Sequence, residues 1–277
     1  MKSKIAKILI IAGSDPSGGA GIQADIKTAC AHQVYATAAI TCLTAQNTKE
    51  VRAIHYAPVE FLREQIAAVL DDIDVDAIKI GMLGSREIID CVADVLAKKA
   101  KKIPLILDTV MVATSGDFLL KKNAVEALKS RLLPGCLIAT PNSDEAEVLA
   151  EMKIKTIADM QLAASKIAAL GAKNVLIKGG HLNFSDGKIH SILRDEKGIF
   201  HKISNKKIGK KNLHGTGCTL ASAIACNIAK KMEIVAAVRK ANSYVYRAVA
   251  KSLVVGKGSL VLRHSVSNGT KNQSPGN

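Results

Sequence analysis

The segment His214-Gly-Thr-Gly-Cys218 places two glycines and a thiol directly before a long apolar run at residues 219–230. The run predicts a buried helix, so the segment would form its N-terminal turn. Gly215 and Gly217 have no Cβ, so backbone N–H groups can approach an anion, which the helix dipole also favours. We therefore expect this turn to bind a phosphate and to lower the pKa of the Cys218 thiol. A glycine hinge beside a half-buried cysteine explains the segment alone equally well.

The segment Thr140-Pro-Asn-Ser-Asp-Glu145 follows a predicted strand and begins a helix. Asn142 and Glu145 point the same way from the helix start, where their oxygens could bind Mg²⁺ directly or through water. The same spacing is that of an Asn N-cap with a Glu capping box, which the spacing alone favours. Lys178 ends another predicted strand, where it could bind a nucleotide phosphate as a point charge or remain a solvated lysine.

The glycine-rich turn at residues 13–21 matches neither common nucleotide-binding loop. Gly19-Ala-Gly21-Ile-Gln-Ala24 has the G-x-G-x-x-A spacing, but the acid expected roughly 20 residues later is missing. The turn also has the outer glycine spacing of a Walker A loop, but Gly-Ala stands where Lys-Ser or Lys-Thr is required. We expect the turn to let its backbone and Asp15 or Asp25 approach a small ligand. A charge in the first turn of a helix explains Asp25 as well.

Short apolar strands alternate with helical segments along the chain. Strands are predicted at residues 7–12, 35–42, 77–80, 104–107, 137–139 and 175–177, with a β-hairpin at 188–193 and 199–203. Helices are predicted at residues 20–32, 58–70, 85–99, 120–132, 145–150, 158–170, 219–230 and 234–252. This alternation is typical of a three-layer α/β/α sandwich with a mostly parallel, doubly wound sheet. We expect one domain over residues 1–264 and a disordered tail at 265–277.

Ligands of such sheets bind beyond the carboxyl ends of the strands. Polar segments follow the predicted strands at residues 15–19, 44–48, 81–82, 108–109, 141–142 and 178–181. We therefore expect several of these segments to share one site.

Composition narrows the possible classes of function. No apolar run approaches the ~20 residues of a membrane span, and six cysteines without a C-x-x-C pair indicate reduced thiols of a cytoplasmic protein. Residues 197–277 hold fifteen Lys and Arg against one acid, Glu233, within a net charge of +15. This asymmetry suggests acidic partners such as nucleic acid, membrane lipid or phosphorylated small molecules, but solvated lysines of a basic proteome explain most of the excess. With 3% aromatic residues and no recognisable motif, nucleic acid is the weaker alternative.

The motifs together are more specific than any one of them. In chain order they are Ala12-Gly-Ser-Asp-Pro-Ser-Gly-Gly-Ala-Gly-Ile-Gln-Ala-Asp25, Thr44-Ala-Gln-Asn-Thr48, Lys79-Ile-Gly-Met-Leu83, Leu107-Asp-Thr-Val-Met111, Ser115-Gly-Asp117, Thr140-Pro-Asn142, Lys178-Gly-Gly-His181 and His214-Gly-Thr-Gly-Cys-Thr219. From about residue 5 to residue 255, the chain closely resembles the hydroxymethylpyrimidine/phosphomethylpyrimidine kinases of thiamine biosynthesis, in the ribokinase-like superfamily.

The resemblance implies a homodimeric kinase that uses ATP and Mg²⁺. Its expected substrates are 4-amino-5-hydroxymethyl-2-methylpyrimidine and then the monophosphate, which becomes the pyrophosphate. Gln46 would bind the pyrimidine edge, because a side-chain amide donates and accepts hydrogen bonds at once. The resemblance places Asp25, Met82, Val110 and Gly13 in the same pocket.

The resemblance also assigns the phosphate end of the site. Gly215, Thr216 and Gly217 would form an anion hole for the transferred phosphoryl group. Cys218 would accept the proton of the substrate hydroxyl, at a position where sugar kinases of the superfamily use Asp. The nucleotide would be bound by Lys178, Thr216, Asp108 and Asn142, and Mg²⁺ by Glu145 and Asn142.

Two segments depart from the family pattern. Asn142-Ser-Asp144-Glu145 replaces the usual Asn-x-Pro-Glu and adds a negative charge near the expected metal. Gly256-Lys-Gly-Ser-Leu-Val261 replaces a Gly-His-Gly-x-Gly-Pro segment, so the family's contacts there are not carried over. The nearest alternative is a pyridoxal-type vitamin B6 kinase, which tends to carry a different residue at position 46. A sugar kinase is disfavoured by Cys218.

Overall fold

The structure is a computed structural model that describes residues 5–111, 122–209 and 212–266. The strands within these residues are β1 (Lys7–Ser14), β2 (Tyr35–Gln46), β3 (Val51–Tyr56), β4 (Ala77–Ile80), β5 (Leu105–Leu107), β6 (Ile138–Ala139), β7 (Asn174–Lys178), β8 (Lys188–Arg194), β9 (Phe200–Lys206), β10 (Leu213–His214) and β11 (Leu260–Val261). The α-helices are α1 (Gly21–Ala31), α2 (Val59–Asp72), α3 (Arg86–Lys99), α4 (Lys122–Ala127), α5 (Ser143–Ala150), α6 (Ile157–Ala169), α7 (Thr216–Ala229) and α8 (Ile234–Ala250).

Nine strands form one sheet in the order β3-β2-β1-β4-β5-β6-β7-β8-β9. Within this order, the six consecutive strands β2, β1, β4, β5, β6 and β7 are parallel to one another. The antiparallel pairs lie at the two edges, where β3 joins β2 and the β8–β9 hairpin joins β7. The predicted mostly parallel sheet and the predicted hairpin are therefore confirmed. A separate parallel pair joins β10 to β11.

Helices cover both faces of the sheet, and β1 shows why. Successive side chains of a strand point to opposite faces. Ile8 and Ile10 pack in one buried cluster with residues of α1, α7 and α8. Leu9 and Ile11 pack in the other cluster, with residues of α2 to α6. Burying such an aliphatic side chain stabilises the fold by about 1.5–3 kcal/mol, so the apolar run of β1 holds three layers together.

The hairpin of β2 and β3 differs from the sequence-based expectation. Residues 44–48 were expected to form a polar loop, but β2 continues to Gln46 and pairs antiparallel with β3. The turn is closed by Asn47, whose side-chain oxygen accepts the N–H groups of Lys49 and Glu50. The C-terminal end of β2 and its partner β3 lie at the edge of the sheet, where a strand needs little apolar surface. Hydrophobic periodicity therefore did not detect this hairpin.

The other differences concern short elements and segment ends. α7 begins at Thr216, three residues before its predicted start, and β10 and β11 are too short for a sequence pattern. Val266 is buried, so packed structure extends past residue 264. The motif Ser115-Gly-Asp117, the start of the helix predicted at 120–132 and residues 267–277 of the predicted tail lie outside the described residues. No helix in the described part of the chain has the length and apolar character to cross a membrane.

Candidate active site

The carboxyl ends of β5 and β7 bring an acid and a lysine together beside the start of α7. Lys178 Nζ lies 3.1 Å from Asp108 Oδ1, which also accepts a hydrogen bond from Thr140 Oγ1 at 3.3 Å. A Cβ on Gly217 would lie 3.3 Å from Lys178 Nζ and 3.6 Å from Asp108 Oδ2. Burial opposes the charge on Lys178, but Asp108 and Glu145 outweigh it and raise the pKa of Lys178.

The turn before α7 is held by a close backbone contact. Gly215 is the N-cap residue, with φ +82°, and a Cβ there would lie 1.9 Å from the carbonyl oxygen of Gly19. Only glycine fits both the left-handed backbone and this contact. The N–H groups at the start of an α-helix have no partner within it, and the first turn of α7 contains no acid. The turn is thus a packed helix N-terminus rather than a hinge.

The Cys218 thiol lies in the first turn of α7 and remains partly exposed. Burial raises its pKa to about 12; the Lys79 ammonium and the Gly21 N–H oppose this, while Asp25 and Asp108 add to it. The predicted lowering of this pKa is therefore wrong, because burial and two carboxylates outweigh the field of the helix and the nearby cation. At neutral pH the thiol keeps its proton.

A sealed ion pair lies close to Cys218. Lys79 Nζ contacts Asp25 Oδ2 at 2.8 Å, and both side chains are fully buried. Ser222 of α7 donates to the other carboxylate oxygen at 2.7 Å. Asp25 was expected to line the substrate pocket, but burial and these two partners place it below the pocket surface. A lysine inside the apolar strand β4 was the available signal for this pair, since a buried lysine requires an acidic partner.

Gln46, expected to bind the substrate, contacts residues that are distant in sequence. Its Nε2 atom lies 3.0 Å from His214 Nε2, which lies 2.9 Å from Asp15 Oδ2. Burial favours the neutral form of Asp15, but hydrogen bonds from His214, Ser17 and Ala20 lower its pKa to about 2. The sequence-based analysis missed His214 as a side chain, although it begins the glycine motif.

Three further predicted pocket residues lie at the ends of central strands. A Cβ on Gly13 would lie 2.8 Å from Cys42 Sγ and 3.6 Å from Met82 Sδ, so Gly13 and Met82 are neighbours. The Thr44 hydroxyl lies 3.0 Å from the carbonyl oxygen of Ser14, which joins the strand end carrying Gln46 to the end of β1. Val110 is partly exposed two residues beyond Asp108.

Asn142 and Glu145 form the capping box of α5, as their spacing favoured. Asn142 Oδ1 accepts the Glu145 N–H at 2.8 Å, and Glu145 Oε2 accepts the Asn142 N–H at 2.9 Å. Thr109 Oγ1 donates to the same Glu145 oxygen at 3.1 Å. Burial raises the pKa of Glu145; Lys178 opposes this and Asp108 adds to it.

A magnesium ion is compatible with this donor set but would not be enclosed by it. The described residues contain no group of three or more His, Cys, Asp or Glu side chains placed to hold a metal. Glu145, Asn142 and Asp108 offer the oxygen donors that Mg²⁺ prefers, and Mg²⁺ in kinases keeps water and phosphate oxygens as further ligands. The residues therefore fit an ion held jointly with a nucleotide.

Both segments that depart from the family pattern make defined contacts. The added carboxylate of Asp144 lies 2.9 Å from His181 Nδ1, and both side chains are exposed. The C-terminal segment crosses the tip of the β2–β3 hairpin, where the N–H groups of Gly258 and Ser259 donate to Thr48. This segment thus connects the hairpin carrying Gln46 to β10, which carries His214.

Comparison with known proteins supports one family. The phosphomethylpyrimidine kinase family model matches residues 15–263. A hydroxymethylpyrimidine/phosphomethylpyrimidine kinase of Streptomyces coelicolor is 41% identical over 91% of both chains. The chain spans about half, 49%, of a bifunctional thiamine biosynthetic enzyme of Arabidopsis thaliana, at 41% identity over 92% of this chain.

Two solved structures share the fold. Phosphomethylpyrimidine kinase from Clostridium difficile superposes with a TM-score of 0.78 at 41% identity, covering 89% of this chain and all of that one. Pyridoxal kinase from Staphylococcus aureus, in complex with AMP-PCP and pyridoxal, superposes with a TM-score of 0.86 at 31% identity, covering 95% and 94% of the two chains.

Proposed function

The chain belongs to the phosphomethylpyrimidine kinase family, and we propose on this basis how its site phosphorylates an aminopyrimidine. The protein is a hydroxymethylpyrimidine and phosphomethylpyrimidine kinase that transfers phosphate from ATP. Its substrates are 4-amino-5-hydroxymethyl-2-methylpyrimidine and then the monophosphate of that compound. The observation that carries the assignment of the site is the start of α7, where Gly217 approaches the Lys178–Asp108 pair and Cys218 follows directly.

Phosphoryl transfer depends mainly on positioning and on stabilising negative charge. Lys178 binds the nucleotide phosphates as a point charge, and the backbone N–H groups of Gly215, Thr216 and Gly217 stabilise the transferred group. Asp108, Asn142 and Glu145 would hold Mg²⁺ through their side-chain oxygens. When bound, the ion neutralises charge on the ATP phosphates.

The pyrimidine lies between the ends of β1 and β2. Gln46 binds its edge, and Gly13, Met82 and Val110 form the surrounding pocket. Asp25 supports this pocket from below through Lys79 and Ser222. Cys218 accepts the proton of the hydroxymethyl group in the first step, and it can do so only as a thiolate.

The requirement for a thiolate gives a test of the base. Because the pKa of Cys218 is raised to about 12, the ionised fraction grows about tenfold per pH unit below that value. The first-step rate at saturating substrate should therefore rise with unit slope from pH 6 to 9. The second step attacks through a phosphate oxygen that is already ionised near neutral pH, so its rate should depend less on pH.

Variants at position 218 distinguish the base from a packing role. Cys218→Ala should lose most first-step turnover while retaining more of the second step, and Cys218→Asp should keep partial activity. Rapid-quench measurement of both half-reactions checks this. Near-normal first-step turnover in Cys218→Ala would refute the proton acceptor assigned here.

A pyridoxal kinase activity is the second candidate, favoured by the TM-score of 0.86 to the Staphylococcus aureus enzyme. Gln46 favours the aminopyrimidine, because its amide matches the donor and acceptor of that ring edge. ATP consumption should be measured with hydroxymethylpyrimidine, its monophosphate and pyridoxal, followed by competition between them. We expect kcat/KM to be highest for the pyrimidines, and a higher value for pyridoxal would reverse the assignment.

We also propose a cytoplasmic homodimer. Large apolar side chains are exposed on β2, β3 and α2, namely Leu43 at 52%, Tyr56 at 38% and Phe61 at 62%, and a partner subunit would cover them. Sedimentation velocity should give the mass of a dimer, and the Phe61→Glu variant should sediment as a monomer.

The basic C-terminal half remains compatible with weak nucleic-acid binding. Salt-dependent binding to duplex DNA would reveal it.

A further inference from the structure

The side-chain amide of Gln46 lies between two groups that determine which of its ends faces which neighbour. Its Nε2 atom is 3.0 Å from His214 Nε2, and its Oε1 atom is 3.2 Å from the Thr44 hydroxyl. The two ends of a side-chain amide have the same shape, so hydrogen-bond partners decide its orientation.

The proton on the His214 side follows from Asp15. Asp15 Oδ2 lies 2.9 Å from His214 Nε2, and an ionised carboxylate only accepts hydrogen bonds. The same oxygen accepts from the Ser17 hydroxyl and the Ala20 N–H, each at 2.9 Å. His214 Nε2 therefore carries a proton. That single proton can be shared between Asp15 Oδ2 and an amide oxygen of Gln46, whereas an amide NH₂ group would face a protonated nitrogen that has no lone pair to accept with.

The Thr44 hydroxyl has the Ser14 carbonyl oxygen as its nearer acceptor, at 3.0 Å against 3.2 Å to Gln46 Oε1. A hydroxyl has one proton, and the Thr44 Oγ1 atom lies 3.0 Å from the Ser14 carbonyl oxygen. With the proton directed to that carbonyl, Thr44 Oγ1 has lone pairs left to accept from an NH₂ group. Both neighbours of Gln46 are then satisfied when the two ends of the amide exchange places, so that the carbonyl faces His214 and the NH₂ group faces Thr44.

We propose that Asp15 and His214 determine substrate specificity by holding the Gln46 amide in this orientation. The far edge of the amide then presents one acceptor and one donor in a fixed order. The acceptor meets the 4-amino group of the pyrimidine, and the donor meets the adjacent ring nitrogen. A 4-oxo pyrimidine reverses both groups, so it faces like against like and is rejected. This inference rests on the proposed function, because it concerns the substrate of that same site.

The test compares two ligands by calorimetry without ATP, so binding is measured apart from turnover. The probes are 4-amino-5-hydroxymethyl-2-methylpyrimidine and its 4-oxo analogue. The unmodified protein should bind the amino compound at least 100-fold more tightly, since a mismatched edge leaves two polar pairs unmade. In His214→Leu the amide is free to turn, so the ratio of the two dissociation constants should fall at least tenfold.

Matched variants separate orientation from general damage. His214→Gln retains an N–H donor toward Asp15 and should preserve the ratio. Ser17→Ala removes a different donor to Asp15 Oδ2 and should leave the ratio within about twofold, by the modest worth of one such bond. Thr44→Val removes the other orienting group and should lower the ratio even if His214→Leu fails to fold.

The outcomes are separable from those of the proposed function. Equal binding of the two probes to the unmodified protein, or binding of neither, overturns the inference. Equal weakening of both probes in His214→Leu and Thr44→Val, with the ratio unchanged, also overturns it. Failure to consume ATP with the amino compound, despite a high binding ratio, contradicts the proposed function and leaves the orienting role of His214 intact.

Discussion

Two lysines, Lys79 and Lys178, each pair with an aspartate in the central part of the sheet, and they differ in access to solvent. Lys79 and Asp25 are fully buried, whereas the Lys178 side chain keeps 16% exposure beside Asp108. Lys79 lies inside β4, and Ser222 of α7 donates a hydrogen bond to its partner Asp25. Lys178 is the last residue of β7, and its ammonium group lies close to Gly217 in the first turn of α7.

The difference in access separates two uses of the same pair of residue types. A sealed ion pair cannot exchange its partner, so each charge depends on the other, and removing one leaves an uncompensated charge. An open pair can admit a phosphate beside the lysine. Removing that lysine should therefore weaken ligand binding more than it lowers stability. The thiolate form of Cys218 would interact favourably with the ammonium groups of both lysines.

The largest expected effect is the loss of one partner of the sealed pair. Lys79→Met leaves Asp25 buried without a cation and should reduce the free energy of unfolding by about 3–5 kcal/mol. Denaturant titration followed by circular dichroism measures this. Gly81 shows how tightly the Lys79 ammonium group is enclosed. A Cβ at this position would lie 2.8 Å from Lys79 Nζ, so only glycine leaves room for the ammonium group.

A double variant provides the control for the sealed pair. Lys79→Met combined with Asp25→Leu removes both charges, and it should recover at least half of the stability lost by Lys79→Met alone. A loss in Lys79→Met no larger than that of an exposed salt bridge, about 1 kcal/mol or less, would show that water reaches the pair and would end the contrast with Lys178.

The second effect belongs to the open pair. Lys178→Met should lower kcat/KM for ATP roughly 100-fold, equivalent to about 2.7 kcal/mol, because a phosphate loses its positive partner. The dissociation constant of the aminopyrimidine should stay within about twofold and the stability loss should be smaller than for Lys79→Met. Initial-rate kinetics and calorimetry measure the two quantities. An unfolding midpoint that falls as far as in Lys79→Met would make both pairs structural.

The sequence predicted those features of the two lysine sites that depend on residues adjacent in the chain. The fold follows from apolar strands such as β1, and Lys178 was predicted at a strand end because residue order alone shows it. The Lys79–Asp25 pair joins residues 54 apart, and the Gln46–His214 contact joins residues 168 apart. Neither spacing carries a pattern. The pKa of Cys218 was predicted with the wrong sign because it is a sum over burial and several distant charges.

The smallest expected effect tests whether the open region contains structural groups as well as binding groups. Two helices begin with complete capping boxes, α5 at Asn142 and α6 at Thr156. The Asn142 box adjoins the open pair, since the Lys178 N–H donates to the carbonyl oxygen of Pro141. The Thr156 box is exposed. Losing a cap costs typically about 1 kcal/mol, so Asn142→Ala and Thr156→Ala should reduce stability by similar amounts.

Activity separates these two matched variants. Asn142→Ala should also raise the Mg²⁺ concentration needed for half-maximal turnover severalfold, because an oxygen donor beside Glu145 and Asp108 is lost. Thr156→Ala should leave that concentration unchanged. Magnesium titrations of the steady-state rate, with thermal melts of both variants, give the comparison. Equal magnesium requirements in the two variants would make Asn142 a helix cap only, and ion binding in the open region would then rest on Glu145 and Asp108.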